Sequence, residues 1–498
     1  MLYQSTRSKT EAISSAEAIL RGIAPDGGLY MPCSLAECDF DWEKTLSMTT
    51  LEIAEYVLSA LFTDFSKEEM QGIVERAYRG KFESDDLTPT VKVGDKYILE
   101  LFRGPTSAFK DVALSVLPQL ITAARKKLGK QTETVILTAT SGDTGKAALE
   151  GFHDVEGTRI IVFYPEGGVS ATQKAQMVTQ EGNNVCVCAV RGNFDDAQTG
   201  VKNIFAAVSE NDLLKGTSAE LSSANSINIG RLAPQIVYYF RSYASLVENG
   251  EIKKGDKVSF VVPTGNFGDI LAGYFAKLLG LPVEKLVCAS NANNVLTEFL
   301  KTGHYNKKRH FYKTLSPSMD ILVSSNLERL IYLASGCDEK QTAEYMAELN
   351  TNGEYTVSDE ILKELQKTFL AEYCDDKQTE KAIHDTYEYY NYLCDTHTAV
   401  AVDAANVLLK SGVLQAPVIV LSTASPFKFS AAVSSAIGVA PKDNEFETMR
   451  TLSSATGIEI PKGLAGLDGK KVLHKDVIDR DDMLDFVLKK IGEKNWKK

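Results

Sequence analysis

The sequence predicts an α/β protein with two lobes, and three observations support that prediction. The chain has 498 residues, too many for one small core, which indicates two or three domains or one large two-lobed unit. From about residue 95, short apolar runs alternate with longer amphipathic stretches. The runs lack polar alternation, which is typical of parallel strands buried on both faces. They cover residues 134–138, 160–164, 258–262 and 418–421.

The rest of the chain is mainly helical in pattern. Residues before about 90 have apolar side chains at helical spacing, as in 51–61, and 325–400 is charged and helical and is interpreted as an insertion. A basic tail at 494–498 is expected to fray. The predicted division is an N-terminal helical domain at 1–94, a large α/β domain from 95–112 and 234–450, a small α/β domain at 113–233 and a C-terminal segment at 451–498.

Composition excludes several functions. There are 54 Lys and Arg against 66 Asp and Glu, a net charge of -12, which argues against nucleic-acid binding and means that an anionic substrate needs a local positive site. No apolar run reaches membrane-span or signal-peptide length, so we expect no membrane association and a cytoplasmic location. The eight cysteines suit neither a disulfide framework nor a metal site. Cys186 and Cys188 share one face of a predicted strand and are expected in the core.

Two glycine-containing loops follow apolar runs, where ligands of open α/β sheets bind. Each combines glycines with the start of a predicted helix, whose free N–H groups favour an anion. The first loop has an alternative in simple helix capping by Ser141 or Asp143, and the second in a tight turn between strand and helix. Neither has the spacing of a nucleotide-binding P-loop or of a dinucleotide fingerprint. Their candidate residues are Ser141, Gly142, Asp143 and Thr144 in the first loop, and Gly265, Asn266, Phe267, Gly268 and Asp269 in the second.

Two further segments add a nucleophile and a cation. Lys110 follows a turn in an apolar setting, where desolvation would lower the pKa of its amine and allow imine chemistry, although most lysines are simply solvated. The segment at 225–231 supplies Asn225, Ser226 and Arg231, which could bind a phosphate or carboxylate or could form a helix N-cap. Taken together, the four segments predict two anionic groups bound around one amine.

In order, these segments resemble the threonine synthase family of fold-type-II pyridoxal-phosphate enzymes, which share a fold with the tryptophan synthase β chain. The resemblance covers nearly the whole chain. Its motifs lie at 21–30 (Arg-Gly-Ile-Ala-Pro-Asp-Gly-Gly-Leu-Tyr), 104–111 (Gly-Pro-Thr-Ser-Ala-Phe-Lys-Asp), 140–145 (Thr-Ser-Gly-Asp-Thr-Gly), 225–228 (Asn-Ser-Ile-Asn), 263–269 (Pro-Thr-Gly-Asn-Phe-Gly-Asp) and 421–424 (Leu-Ser-Thr-Ala).

The resemblance implies pyridoxal 5'-phosphate as cofactor and a role for each candidate. Lys110 would carry the cofactor as a Schiff base and shuttle protons. Residues 265–269 would hold the cofactor phosphate, and Thr423 would meet the pyridine nitrogen. Ser141, Gly142 and Thr144 would take the substrate carboxylate, with Asp143 in the same substrate loop. Asn225, Ser226 and Arg231 would take the phosphate of the substrate.

The implied reaction converts O-phospho-L-homoserine and water to L-threonine and phosphate. Moving oxygen from the γ-carbon to the β-carbon requires removal of an α-proton and then a β-proton while the cofactor stores electrons. Lys110 could serve the steps at the α-carbon. No histidine falls in the motifs, so the liberated phosphate is our hypothesis for the remaining base. The expected partner is this small-molecule substrate. A monomer is one expected oligomeric state, and the sequence leaves the others open.

Two positions depart from the family pattern. Ser425 stands where histidine is expected, and the motif at 395–399 has threonine in place of proline. Asp143 stands where many relatives of this fold type have asparagine near the cofactor 3'-oxygen, although members of the threonine synthase family often have aspartate there. A carboxylate at this position would repel the phenolate oxygen unless it is turned away or protonated. The alternatives are another fold-type-II enzyme, such as a serine or threonine dehydratase, and a non-catalytic homologue that binds the cofactor. The second anion pocket around Arg231 distinguishes the first alternative, and the presence of Lys110 argues against the second.

Overall fold

The computed structural model describes residues 1–9, 11–35, 38–415, 417–493 and 496. Its strands form one six-stranded sheet, one five-stranded sheet and two small two-stranded sheets. The strands are β1 (Tyr3–Ser5), β2 (Tyr30–Pro32), β3 (Thr90–Val93), β4 (Lys96–Glu100), β5 (Glu133–Ala139), β6 (Thr158–Pro165), β7 (Val185–Arg191), β8 (Ala219–Ser222), β9 (Val258–Pro263), β10 (Val283–Ser290), β11 (His304–Asn306), β12 (Glu354–Thr356), β13 (Phe369–Tyr373), β14 (Val418–Ser422) and β15 (Asp476–Asp479).

Helices surround these sheets and connect most of their parallel strands. Among the described residues they are α1 (Ser15–Arg21), α2 (Thr50–Leu61), α3 (Lys67–Tyr78), α4 (Lys110–Lys127), α5 (Asp143–Phe152), α6 (Ala171–Val178), α7 (Phe194–Glu210), α8 (Ile229–Leu232), α9 (Ile236–Glu248), α10 (Gly268–Leu278), α11 (Val295–Thr302), α12 (Leu327–Ala334), α13 (Glu339–Asn352), α14 (Asp359–Thr368), α15 (Asp376–Tyr390), α16 (Thr396–Lys410), α17 (Ser430–Ala436), α18 (Glu445–Thr456) and α19 (Met483–Gly492). Short 3₁₀ segments include Pro317–Met319 and Pro426–Phe429.

The large sheet has the order β13-β10-β9-β14-β4-β3, and its strands are parallel except for β3 at one edge. Its central strands β9 and β14 are buried along their whole length, which agrees with the predicted apolar runs at 258–262 and 418–421. β3 lies inside the predicted N-terminal domain but pairs with β4, so the first strand of the large sheet begins before residue 95.

The small sheet has the order β15-β7-β6-β5-β8 and is parallel throughout. β5 and β6 contain the predicted runs at 134–138 and 160–164, and Cys186 and Cys188 of β7 lie in the core, as predicted. β15 comes from the C-terminal segment, so the chain returns to complete this sheet. β15 has only four residues, and alternate ones are exposed, so the sequence there contains no apolar run that would predict a strand.

The N-terminal region is mainly helical, as predicted, with α1, α2 and α3 joined to the small β1–β2 pair. Three of its helices begin with a capping box, in which Ser14, Thr49 and Ser66 each exchange hydrogen bonds with a glutamate three residues later.

The segment at 325–400 is mainly helical as well, but it also contributes β12 and the edge strand β13 of the large sheet. These short strands lie between helices and do not stand out from the helical periodicity around them. The expected fraying of the tail concerns residues 494, 495, 497 and 498, which lie outside the described residues. Trp496 is buried. Among the helices that the structure describes, none combines the length and apolar character that crossing a bilayer demands.

Candidate active site

Three of the candidate segments leave the carboxyl ends of three adjacent parallel strands. β9, β14 and β4 are neighbours in the large sheet, with Ser422 of β14 paired with Glu100 of β4. The segments that follow these strands are 101–110, 264–268 and 423–429. The topology therefore brings Lys110, the 265–269 turn and Thr423 to one edge of the sheet, where ligands of α/β proteins bind.

The loop that carries Lys110 is fixed on both sides. The Phe109 N–H donates to the Thr423 carbonyl at 2.8 Å, so the carbonyl of Thr423, rather than its hydroxyl, makes this bond. Asp111 accepts hydrogen bonds from the N–H and the hydroxyl of Thr106 at 2.8 and 2.6 Å. Ser107 lies in the left-handed region with φ 61°. The loop thus presents Lys110, the first residue of α4, toward the strand end.

The Lys110 side chain is only 11% exposed. Burial, together with the nearby charges of Arg231 and Lys428, lowers the pKa of its amine to about 8. The carboxylate of Asp143 opposes this shift. The N-terminus of α4 also disfavours a positive charge at this position. A substantial fraction of the amine can therefore be neutral near physiological pH, which imine formation with an aldehyde requires.

Asp143 joins the two lobes electrostatically. Its Oδ2 lies 3.9 Å from the Lys110 Nζ, and its Oδ1 lies 2.9 Å from the Lys428 Nζ. Gln173 also donates to Oδ1 at 2.9 Å. Although burial opposes ionisation, the two lysines hold the pKa of Asp143 well below its usual range. The sequence predicts repulsion unless this carboxylate is turned away or protonated, but the carboxylate stays ionised and the two lysines offset its charge. Asp143 stands in the predicted substrate loop, but its carboxylate faces cations.

The rest of the 140–145 loop opens toward solvent at Ser141, whereas Gly142 is buried. Thr140 organises it: its hydroxyl accepts the N–H groups of Gly142 and Gly145, both at 2.9 Å. The predicted alternative of side-chain capping by Ser141 or Asp143 is not what starts α5, whose N-cap residue is Gly142. Lys146 pairs with Glu150, away from the loop, unlike a phosphate-binding lysine.

The 265–269 turn leads into α10, whose N-cap residue Phe267 makes no side-chain cap hydrogen bond to its first N–H groups. Phe267 is buried at φ 63°, a conformation rare for a bulky residue and typical of strained functional turns. A side chain at Gly265 would meet the backbone carbonyl of Ser318 at 3.1 Å, so the neighbouring segment would have to shift to admit one. The carbonyls of Gly265 and Asn266 accept hydrogen bonds from Ser324 and Asn326. The turn is therefore held from outside, with Asn266 exposed at its tip.

Asp269 lies in the first turn of α10, and its carboxylate is bound by tyrosine hydroxyls of α9. Its Oδ1 accepts the hydroxyls of Tyr238 and Tyr239 at 2.6 and 2.9 Å. Burial raises its pKa to about 6, although both hydrogen bonds oppose the rise. A carboxylate would repel a phosphate, so any contribution of Asp269 to phosphate binding has to come from its backbone N–H.

The segment at 225–231 contains both a helix N-cap and a buried arginine that could bind an anion. Asn228 is the helix N-cap, accepting the Gly230 N–H at 2.9 Å. Arg231 is buried and donates to the Ala224 carbonyl at 2.7 Å. No carboxylate in the described ranges forms an ion pair with Arg231, and burial lowers its pKa to about 10. A buried guanidinium without a counter-ion favours an anionic ligand.

This segment also reaches the turn of the large sheet. The Cβ of Ser226 lies 3.8 Å from where a side chain at Gly268 would begin. Arg329, fully buried in α12, donates to the Ile227 carbonyl at 2.6 Å and to Asn326 at 2.6 Å. Since Asn326 holds the 265–269 turn, one arginine supports both anion segments.

Sequence reasoning missed three contributors: Lys428, Gln173 and Arg329. Lys428 offered a signal, because it stands five residues after Thr423 beyond a buried strand. Gln173 and Arg329 lie inside helices, where a polar residue is ordinary, and no local pattern distinguishes them.

The departures from the family pattern are accommodated locally. Ser425 donates its N–H to the Ser107 carbonyl at 3.1 Å, and its hydroxyl accepts the Phe427 N–H at 3.3 Å. In the 395–399 motif, Asp395 caps α16, and Thr398 donates to the Ser422 hydroxyl at 3.0 Å, beside Thr423.

The donor set fits an aldehyde cofactor that carries a phosphate. A desolvated amine would meet the aldehyde, and N–H groups at the start of α10 would meet the phosphate. The buried Thr423 is joined to the Lys110 loop by the hydrogen bond that its carbonyl accepts from the Phe109 N–H.

Comparison with known proteins agrees with this fit. Family models match for the threonine synthase N terminus at 2–78, pyridoxal-phosphate dependent enzyme at 83–423 and threonine synthase, C-terminal, at 398–476. Threonine synthase of Saccharomyces cerevisiae is 40% identical, covering 88% of this chain and 89% of that protein. A crystal structure of PLP-bound threonine synthase from Brucella melitensis superposes with a TM-score of 0.86 at 36% identity, covering 99% and 98% of the two chains. Threonine synthase-like 1 of Pongo abelii is 38% identical over 86% of this chain, which spans 59% of that longer protein.

The fold and the site define a pyridoxal-phosphate-dependent enzyme of fold type II. The three family models and the relatives are more specific, and the chain belongs to the threonine synthase family.

Proposed function

We propose that this chain converts O-phospho-L-homoserine and water to L-threonine and phosphate. The observation that carries the proposal is the buried guanidinium of Arg231, which has no counter-ion among the described residues and donates to the carbonyl of Ala224, the residue before Asn225 and Ser226. A second phosphate pocket is what this substrate requires beyond the cofactor site. A dehydratase would need a carboxylate loop but no such pocket.

When bound, pyridoxal phosphate supplies an electron-withdrawing ring that stabilises negative charge on carbon after a proton is removed. The role of Lys110 is to hold the cofactor and, once free, to take and return a proton at Nζ beside the α-carbon of the substrate. Its lowered pKa suits both tasks near neutral pH. We assign the hydroxyl of Thr423 to the ring nitrogen.

The anion segments orient the substrate at both ends. Ser141 and Thr144 bind its carboxylate through their N–H groups and hydroxyls at the start of α5, in a loop whose Gly142 N–H is already donated to Thr140. Arg231, Asn225 and Ser226 bind its phosphate, and the guanidinium stabilises the charge that grows on this group as it leaves. The released phosphate, still held by Arg231, is our candidate base for the β-proton and for the water.

The division into domains at 1–94, 95–112 with 234–450, 113–233 and 451–498 belongs to the same proposal. The two sheets support it, with β3 and β15 crossing its boundaries. We also propose that the protein works in the cytoplasm, because a charged phosphate ester does not cross membranes unaided. Cell fractionation tests this location.

Two assays test the proposed activity. Phosphate release from O-phospho-L-homoserine is compared with ammonia release from threonine, and we expect the first to dominate. Arg231→Gln should lower kcat/KM for phosphate release on the order of a hundredfold, as when a donor to a developing anion is removed. Arg241→Gln is the control, because this buried arginine already pairs with Asp86 and Glu248. Equal losses in both variants would contradict the phosphate role of Arg231.

The cofactor lysine is tested by borohydride reduction of the holoenzyme followed by peptide mapping. The reduced cofactor should be found on Lys110, and Lys110→Ala should retain none covalently. A label on any other lysine would overturn the site.

A further inference from the structure

A second lysine lies deeper in the site than Lys110. The side chain of Lys428 is fully buried, in the 3₁₀ segment Pro426–Phe429 that follows β14. Its Nζ lies 2.9 Å from the Asp143 Oδ1 and donates to the Thr106 carbonyl at 3.1 Å. Thr106 belongs to the loop that carries Lys110. Lys428 therefore fastens the small-lobe helix α5 to that loop.

This contact determines which lysine Asp143 neutralises. Oδ1 receives Lys428 and Gln173 at 2.9 Å each, whereas Oδ2 is 3.9 Å from Lys110, too long for a hydrogen bond. The carboxylate is thus ion-paired with Lys428 and only loosely associated with Lys110. If Lys428 were neutral, Lys110 would be the remaining lysine beside Asp143 in the described structure.

The charges that face Lys110 come from four elements. Asp143 lies on α5, Arg231 on α8, Lys428 on the 3₁₀ segment and Asp111 on α4 itself. Asp111 is occupied by Thr106, and burial raises its pKa to about 6. With Lys428 present, the cations of Arg231 and Lys428 around Lys110 balance the carboxyl groups of Asp143 and Asp111. Without it, the balance becomes negative and favours a protonated Lys110.

We propose that Lys428 is a positioning residue that keeps the Lys110 amine available in its neutral, nucleophilic form by holding Asp143 in an ion pair of its own. The inference rests on the proposed role of Lys110 as the cofactor lysine. It assigns a function to a residue that reaches the 140–145 loop only through the Asp143 carboxylate and the Lys110 loop only through the Thr106 carbonyl.

The test measures the acidity of Lys110 directly in the full-length chain after removal of the cofactor. Lysines are labelled briefly with an acetylating reagent between pH 6 and pH 10, and the labelled fraction of Lys110 is read by peptide mass spectrometry. Lys428→Met should raise the midpoint of labelling by about one unit, as expected for a newly formed ion pair, and so lower the labelling rate at pH 7 about tenfold. Lys428→Arg should leave the midpoint nearly unchanged.

Asp143→Asn separates positioning from simple repulsion between lysines. In the Asp143→Asn background, removing Lys428 can only relieve like-charge repulsion, so the shift should be clearly smaller than in the wild-type background. An equal shift in both backgrounds would overturn the proposal. So would an unchanged midpoint in Lys428→Met.

The reconstituted holoenzyme gives a second readout, the pH dependence of the cofactor absorbance, which should shift in Lys428→Met and be restored in Lys428→Arg. If Lys428→Met does not fold, Lys428→Gln keeps donors for Thr106 and Asp143 without a charge and should show the same upward shift. Borohydride mapping distinguishes failure of this inference from failure of the proposed function. A reduced cofactor on another lysine would contradict the proposed function. A reduced cofactor on Lys110 together with an unshifted labelling midpoint in Lys428→Met would contradict only the role of Lys428.

Discussion

Two strand–turn–helix corners, one in each sheet, each bury an aspartate in the first turn of a helix. The pKa of the aspartate is lowered in one corner and raised in the other. In the small sheet, β5 leads through the 140–145 loop into α5, which begins with Asp143. In the large sheet, β9 leads through the 265–269 turn into α10, which contains Asp269. The helix dipole favours a negative charge at both. Yet the pKa of Asp143 lies well below its usual range and that of Asp269 is raised to about 6.

The difference comes from residues that are distant in the chain. Asp143 meets the ammonium groups of Lys428 and Lys110, whereas Asp269 meets only the hydroxyls of Tyr238 and Tyr239. In the part of the chain that the structure describes, Asp269 forms no ion pair. A glycine turn before a helix therefore predicts where an anion can sit, but tertiary partners decide whether the corner carries a charge of its own.

The largest expected effect comes from replacing each aspartate with asparagine at pH 8. Asp143→Asn leaves Lys428 buried without its counter-ion, which should cost about 3–5 kcal/mol of unfolding free energy. Asp269→Asn keeps an acceptor for both tyrosines and removes a buried charge, so it should not destabilise. Urea unfolding of the chain freed of cofactor measures both. Equal losses at the two corners would show that the ion pair is not what distinguishes them.

The pH dependence of stability should separate the corners next. The raised pKa of Asp269 means that the folded state keeps a proton that the unfolded state loses near pH 4. Wild type should therefore lose stability relative to Asp269→Asn as pH rises from about 4 to about 6, by roughly 3 kcal/mol for a shift of about two units.

The contribution of Asp143 to stability changes with pH in the opposite direction from that of Asp269. The pKa of Asp143 is lowered on folding, so its contribution is fully present above its unfolded value near 4 and is lost only as the pH falls through its lower folded value. The deficit of Asp143→Asn should accordingly stay constant between pH 5 and pH 7. Urea titrations at several pH values test both slopes, and a deficit of Asp143→Asn that changes between pH 5 and pH 7 would contradict the assignment.

The helices of the two corners also differ in how closely a neighbour approaches. A side chain on Gly151 of α5 would lie 1.9 Å from the Leu114 carbonyl of α4, whereas one on Gly273 of α10 would meet the Tyr239 ring at 2.7 Å. A backbone cannot move as an aromatic ring can. Gly151→Ala should therefore cost about 2 kcal/mol and Gly273→Ala less.

Gly72→Ala is the control for helix propensity, because only the end of the flexible Arg76 side chain stands near it. This variant should be neutral or gain stability, as alanine usually does inside a helix. Since α4 begins with Lys110, Gly151→Ala should also shift the labelling midpoint of Lys110, and Gly72→Ala should not. A neutral Gly151→Ala would mean that the α4–α5 contact can relax.

How much the sequence predicts differs between backbone and charge. The buried runs at 134–138 and 258–262 and the glycines after them locate both corners, because strand burial and turn chemistry are local properties. The partners of Asp143 and Asp269 are not local. Lys428 is 285 positions from Asp143 in the numbering and reaches it only because β14 lies between β9 and β4. The sequence therefore predicts repulsion by Asp143 unless its carboxylate is turned away or protonated, whereas the folded chain keeps the carboxylate ionised and pairs it with Lys428.

The smallest expected effect concerns the third strand end, where β4 leads into the Lys110 loop. The small-sheet corner has a glycine, Gly142, at its positive φ of 143°, but this loop has Ser107 at φ 61° with a buried hydroxyl that bonds to nothing among the described residues. Ser107→Gly should stabilise the chain by about 1 kcal/mol, because it removes both the strain and the unpaired hydroxyl. Ser107→Ala removes only the hydroxyl and should gain less in urea unfolding. If both variants gain equally, the backbone is not strained, and the contrast between a glycine in one loop and a serine in the other has no energetic consequence.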